Sequence, residues 1–307
     1  MNRKMRGLLA GLLTLVMALC SAPAAAQNAA PPAAKAPRKV LLWKASSPTA
    51  TVYLMGSIHV GDASMYPLPP AVEAAFDSSK VLAVEINVKN IDQAKGMKLV
   101  QEFGLYSGDD TLANHVSKET VAILNQFCEK AGFPKTAFEK LKPWVVAVTV
   151  IAISLKAAGE DPALGIDQHF LDQAKSQRIE EMETAEYQLG LFSAASEQDQ
   201  LELLTASLNQ VDKTQQLMLK MQDAYLSGDA EKLVAVVREQ DTLPKALRKK
   251  LIDDRNIAMA EKVEGYLKGN DQAFVVLGAA HVVGDTGIVK LLKAKGYKVE
   301  QVSAEAR

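Results

Sequence analysis

Two of the four histidines in this 307-residue chain occupy matching settings. Gly56-Ser57-Ile58-His59 is followed by Val60-Gly61-Asp62, and Gly278-Ala279-Ala280-His281 by Val282-Val283-Gly284-Asp285. Each has a glycine three positions before the imidazole and follows a β-rich apolar run. Glycine at a strand end permits a sharp turn and close backbone approach, so each histidine can point across a sheet edge. Two such turns on neighbouring strands would bring both imidazoles to one crevice. Neutral imidazole is the commonest metal ligand, and a carboxylate commonly completes such a site. Glu85 can supply it, because it closes the apolar run over residues 81–86, where a charge is costly unless paired or metal-bound. The alternative for Glu85 is a strand-terminal side chain that simply reaches solvent.

Elements of the right type surround these residues. Short β-rich runs at 40–44 and 51–55 flank Ser46-Ser47-Pro48 and predict a hairpin. A helix over 70–79, with proline at its start, leads to the run at 81–86, which reads as a strand buried on both faces. From about 90 to 252 the pattern is mostly helical, with one short strand candidate at 178–182. The very apolar stretch 144–155 reads as a buried helix, although its β-branched residues leave a strand open. The β/α rhythm returns with a strand at 273–277, a helix at 287–295 and a last strand at 297–302. The expected fold is α/β: a mainly parallel central sheet built from both ends of the chain, flanked by helices, with a large helical insertion. Its site would lie at the carboxyl ends of the strands.

With these motifs on the page, the chain resembles the TraB/PrgY/GumN family, which is similar to the Tiki proteases and more distantly to erythromycin-esterase and ChaN-like proteins. The resemblance runs from about Val40 to Val302. It is carried by Leu42-Trp43, the stretch from Tyr53 through His59 to Gly61, Tyr66-Pro67-Leu68-Pro69 and Val84-Glu85. It continues through Gly165-Ile166-Asp167, Glu183-Thr184 with Glu186 and Gln188, Arg255-Asn256 with Met259, and Gly278-Ala279-Ala280-His281. It implies a divalent-metal-dependent hydrolase in which His59, Glu85 and His281 bind manganese, cobalt or zinc. Arg255 would then stabilise negative charge on the substrate or transition state.

Other residues have competing readings. Asp167 and Glu183 could line the same crevice, or start a helix running from Gln168 and end a short strand. Asp62 and Asp285 could orient the histidines as acceptors, or cap loops. Without the family, Arg255 could equally pair with Asp253 or Asp254 on a helix face. His115 reads as a surface residue, His169 as structural, and Cys128 as a small buried residue. The basic run 245–250 reads as a solvated helix face. The sequence contains no G-x-S-x-G elbow, Gly-rich phosphate loop or H-E-x-x-H helix.

The N-terminus carries an address. Arg3, Lys4 and Arg6 precede an apolar run over 7–19, and Ala24-Ala25-Ala26 offers an A-x-A cleavage site. Residues 1–26 therefore read as a signal peptide and 27–38 as an Ala/Pro-rich tether, with one α/β domain over 39–307. Cleavage predicts a periplasmic or secreted protein with no remaining membrane span; the alternative is an uncleaved anchor. It also removes Cys20, leaving Cys128 as the only thiol and no intrachain disulfide. The balance of 35 Lys plus Arg against 36 Asp plus Glu, with no basic stripe, argues against nucleic acid as a partner. The expected activity is metal-dependent hydrolysis of a peptide or small-molecule substrate. The rivals are a metal-free esterase-like hydrolase with His59 as general base, and a non-catalytic peptide- or glycan-binding regulator.

Overall fold

The computed structural model describes residues 39–240 and 242–304. The signal peptide and tether expected over 1–38 lie outside them. Six strands form one sheet in the order β4-β3-β5-β2-β1-β6. Strands β1 (Lys39–Ser46) and β2 (Thr51–Ser57) form the expected hairpin, with Ser46 opposite Thr51. Helix α1 (Pro70–Asp77) leads into β3 (Val81–Val84), whose four residues are all buried. The chain returns to the sheet with β4 (Arg178–Glu181), β5 (Ala273–Gly278) and β6 (Lys298–Ser303).

Strands β4, β3, β5 and β2 are mutually parallel, while β1 is antiparallel to both β2 and β6. The sheet is therefore mainly parallel, and β5, with all six residues buried, is inserted between β3 and β2. Unbroken apolar runs suit such positions because both faces are covered. The carboxyl ends of β2, β3 and β5 lie side by side, which brings the segments after Ser57, Val84 and Gly278 to one edge.

Between β3 and β5 the chain is mostly helical. Helices α2 (Gln93–Phe103), α3 (Lys118–Ala131) and α4 (Pro143–Ala157) precede α5 (Ile166–Gln173) and β4. Then follow α6 (Ala185–Ser193), α7 (Glu197–Gln210), α8 (Thr214–Ser227) and α9 (Ala230–Gln240). A short helix, α10 (Lys245–Arg248), passes through a π-turn (Lys249–Asp253) into α11 (Asp254–Leu267). After β5 come α12 (Ala279–Val282) and α13 (Ile288–Ala294).

The stretch 144–155 is helical despite its β-branched residues. Pro143 starts α4, where its missing N–H costs nothing, and Trp144, Val146, Ala147 and Val150 are all buried. Tertiary burial outweighs the small propensity penalty. These side chains belong to an apolar cluster with Leu204, Leu208 and Phe138, separate from the cluster around the sheet. Among the described residues no helix is long and apolar enough to cross a membrane.

One contact ties the helices to the first histidine motif. The Tyr225 hydroxyl on α8 donates to the Gly56 carbonyl at 2.7 Å in a buried setting. Replacing it with phenylalanine leaves that carbonyl without its donor. Tyr225→Phe should lower unfolding free energy by about 1–2 kcal/mol, read as a lower urea midpoint at unchanged slope.

Candidate functional site

Glu85 follows β3 directly, and its carboxylate is nearly sealed from solvent at 11% side-chain exposure. Its Oε1 accepts the Gly278 N–H at 2.6 Å, and its Oε2 accepts from Arg255 Nη2 at 2.8 Å and Gln188 Nε2 at 3.3 Å. Two histidines face the same oxygen. His59 Nε2 lies 3.9 Å and His281 Nε2 4.0 Å from Glu85 Oε1. Gly278 leaves this convergence open: a Cβ there would stand 3.1 Å from both Glu85 Oε1 and His59 Nε2.

The outer nitrogen of each ring is engaged. His59 Nδ1 lies 3.0 Å from Asp167 Oδ1, which also accepts from Ser57 Oγ at 2.6 Å. His281 Nδ1 lies 2.6 Å from Asn256 Oδ1, and Asn256 Nδ2 donates to the Thr286 carbonyl at 2.9 Å. When the rings are neutral and donate Nδ1–H outward, each Nε2 turns its lone pair to the crevice. That is the arrangement by which an outer acceptor fixes tautomer and ring orientation in a metal-ligating histidine.

Asp167 reaches His59 because the loop after β2 is tied to the segment before α5. Gly61 and Asp161 exchange backbone bonds at 3.0 and 2.8 Å, and the Ile166 N–H donates to the Ile58 carbonyl. Gly165 caps α5 against this loop, where a Cβ would fall 2.4 Å from the His59 carbonyl oxygen. Asp167 therefore lies within the first turn of α5, which begins at Ile166 rather than at Gln168.

Arg255 is buried between two acids. Its Nε donates to both Glu183 oxygens at 2.9 and 3.1 Å, Nη2 to Glu183 and Glu85 at 2.7 and 2.8 Å, and Nη1 to the Leu251 carbonyl. The π-turn adds a residue per turn just before this side chain, a device that recurs at functional sites. Asp253 and Asp254 are not its partners: they hold Arg248 and Lys249.

The environment sets the charges. Burial alone would raise the Glu85 pKa, but the two imidazoles, Arg255 and the Gly278 N–H outweigh it and bring it to about 2. Burial in the crevice works against a charge on His59, but 55% of its side-chain surface meets solvent, and Asp167 and Glu85 raise its pKa to about 9. His281 is pushed down, chiefly by burial, against the opposing pull of Glu85.

Four expected residues, His59, Glu85, Arg255 and His281, thus meet in one place, joined by Asp167 and Glu183. Asp62 and Asp285 do not orient the histidines. Asp62 caps a short turn by accepting the Ser64 N–H, and Asp285 pairs with Arg238 and Lys290. Asn256 and Asp167 hold the rings instead. His169 packs on Tyr66 and bonds Glu73, whereas His115 stacks on Tyr106 between Asp110 and Glu197. Cys128 is fully buried. Among the described residues, no group of three His, Cys, Asp or Glu side chains is placed so that it could hold a metal ion.

This chain matches the model of the TraB/PrgY/gumN family over residues 41–301. It belongs to that family. Among its relatives is the "Uncharacterized protein YbaP" of Escherichia coli (strain K12), 25% identical over 247 residues, covering 78% of this chain and 87% of that protein. An "Uncharacterized protein" of Treponema pallidum (strain Nichols) is 20% identical over 271 residues, covering 83% of this chain and 80% of its own. No solved structure matches with significance.

Removing the shared cation should expose what it balances. Arg255→Met leaves two buried carboxylates without their guanidinium and should cost roughly 3–5 kcal/mol, with partial recovery when Glu183→Gln is added. Because the folded pKa of Glu85 lies below its ordinary 4.5, its contribution is complete above that pH and is lost as pH falls toward about 2. Denaturant titrations across this window should show a shallower loss for Glu85→Gln than for the parent.

Proposed function

We propose that this chain is an exported, divalent-metal-dependent hydrolase acting on peptide bonds. The observation that carries the reading is the approach of two imidazole Nε2 atoms to one carboxylate oxygen, at 3.9 and 4.0 Å, with both Nδ1 atoms bonded outward. Two ligands each about 2.1 Å from a common ion are at most about 4.2 Å apart, and each imidazole stands within that limit of Glu85 Oε1. Charge points the same way: Glu85 and Glu183 share one guanidinium and Asp167 faces His59, so three carboxylates and a single guanidinium surround two imidazoles.

His59, His281 and Glu85 would hold the ion. Such an ion polarises a scissile carbonyl and lowers the pKa of a bound water toward neutrality. The chain's own groups prepare for this. Asp167 and Asn256 favour a proton on each Nδ1, so that once His59 sheds its other proton both Nε2 lone pairs face inward. The Gly278 N–H and Arg255 fix the Glu85 carboxylate in place. Arg255 is in this reading a positioning residue for Glu85, its donors given to protein acids rather than to substrate. The export assignment rests on the N-terminal pattern over residues 1–26, and the peptide substrate on the family resemblance.

One observation favours a second reading. Ser57, Asp167 and His59 form a bonded series ending in an exposed imidazole, the geometry of a general base oriented by a carboxylate. Chelation separates the two: peptide-library cleavage that persists in full after EDTA treatment assigns the chemistry to His59 without a metal.

Metal analysis of the mature protein should give about one equivalent of manganese, cobalt or zinc per chain, lost in folded His59→Ala and His281→Ala proteins; retention in both variants would overturn the metal reading. Since His59 holds its proton up to about 9 and must shed it to ligate, affinity measured by calorimetry should climb with pH through the neutral range, with proton release on binding.

A further inference from the structure

His115 is not part of the crevice, yet both of its ring nitrogens meet carboxylates. Nδ1 lies 2.7 Å from Glu197 Oε1, in the first turn of α7, and Nε2 lies 2.9 Å from Asp110 Oδ2, in the loop between α2 and α3. An ionised carboxylate can only accept a hydrogen bond. Both contacts are satisfied together only when the ring carries both protons, as a cation. Tyr106 stacks on it, with ring centroids 4.3 Å apart and planes 9° from parallel, and an aromatic face attracts a cation. Burial, with Glu197 and Asp110, pushes the Tyr106 hydroxyl up to about 12, so this neighbour stays neutral. Lys140, from the segment before α4, donates to the Gly108 and Asp110 carbonyls at 2.9 Å rather than to the ring. Glu119 on α3, Glu202 on α7, Lys213 before α8 and Glu239 on α9 line the groove that His115 also borders, and none of them bonds the imidazole.

The two carboxylates are not equivalent. Asp110 Oδ1 also accepts the Thr111 N–H at 2.9 Å and Asn114 Nδ2 at 2.8 Å, which fixes that side chain within its own loop. Glu197 is 64% exposed, and among the described residues its carboxylate has no other partner. A neutral ring has one N–H to give, and the anchored Asp110 keeps it. The bare Nδ1 then faces a carboxylate lone pair to lone pair, and the Glu197 contact opens. The location gives this a structural effect. Helix α2 packs against α6, and near their starts Lys95 pairs with Glu186, each hydrogen-bonded partner favouring the other's charge. Past their ends, His115 joins the loop after α2 to the first turn of α7. The first fastening persists across the neutral range, whereas the second exists only while the ring is charged. Between them α6 carries Gln188 to Glu85 and Glu183.

We propose that His115 is a pH-sensitive clamp, holding the α2–α3 loop to α7 while its ring is doubly protonated and releasing Glu197 when the Nδ1 proton leaves. Hydrogen bonds to Asp110 and Glu197 raise its pKa above the 6.5 of an unpaired histidine. The clamp is therefore complete below that pH and is lost as pH rises through the higher folded value. None of the metal chemistry proposed above enters, so the two readings stand or fall separately.

The test is a pH titration of the mature protein by nitrogen-15 NMR of the histidine rings, with the His115 signals assigned by their loss in His115→Gln. Both His115 nitrogens should show imidazolium shifts at pH 6.5, with the midpoint above that value. Glu197→Gln, a change at an exposed position, should move the midpoint down. Hydrogen-exchange protection of the Leu112 and Val116 amides, corrected for intrinsic exchange, should drop about threefold as pH passes the parent midpoint, the worth of one exposed ion pair. The Glu197→Gln protein should show no such step. A midpoint at or below 6.5, or one that Glu197→Gln leaves in place, would overturn the clamp. So would protection that shows no step in the parent, or the same step in both proteins.

Discussion

One guanidinium divided between two buried carboxylates is the constraint around which the site is organised. Glu85 and Glu183 are both largely out of water, and Arg255 spans them. A charge taken from water to a protein interior costs several kcal/mol unless neighbours restore what hydration supplied. Here the restoration comes from distant parts of the chain: Arg255 from the helix after the π-turn, Gln188 from α6, and the Gly278 N–H from the end of β5. The Glu183 N–H also donates to the Glu85 carbonyl, extending the β3–β4 pairing by a step. The acids thus bind the sheet edge and the helical roof to each other.

The two histidines are related in sequence setting but not in electrostatic state. One leans on a carboxylate and faces solvent; the other leans on an amide and is buried. A negative partner favours the protonated ring, whereas a neutral amide in an enclosed setting favours the uncharged one. Similar turns after neighbouring strands therefore deliver one ring that favours its proton and one held neutral by its enclosure.

Much of this was legible in the residues because the relevant signals are local. Glycine after a strand, a lone charge closing an apolar run, and a return of β/α rhythm near the end each act over a few positions. They mark Gly56, Glu85 and Gly278 without knowledge of the fold. What holds the rings was not local. Asp62 and Asp285 are close to the histidines along the chain, yet their loops turn them toward a backbone N–H and toward surface cations. Asp167 and Asn256 do that work from other helices, brought near only by the crossing of the helical segment over the sheet. Sequence distance is a poor guide to such partners because a helix presents adjacent residues about 100° apart. The extra residue of the π-turn changes which of them look inward.

The position of β5 in the sheet has a consequence for biogenesis. It is the central wedge between β3 and β2, yet it follows both of them in the chain by the whole helical segment. Until it arrives, β3 and β2 have no common neighbour and one imidazole is missing altogether. Contacts of such long sequence separation form late and slowly, so a nascent or truncated polypeptide carries no assembled centre. Assembly of the crevice waits on β5, a form of timing that arises from strand order alone.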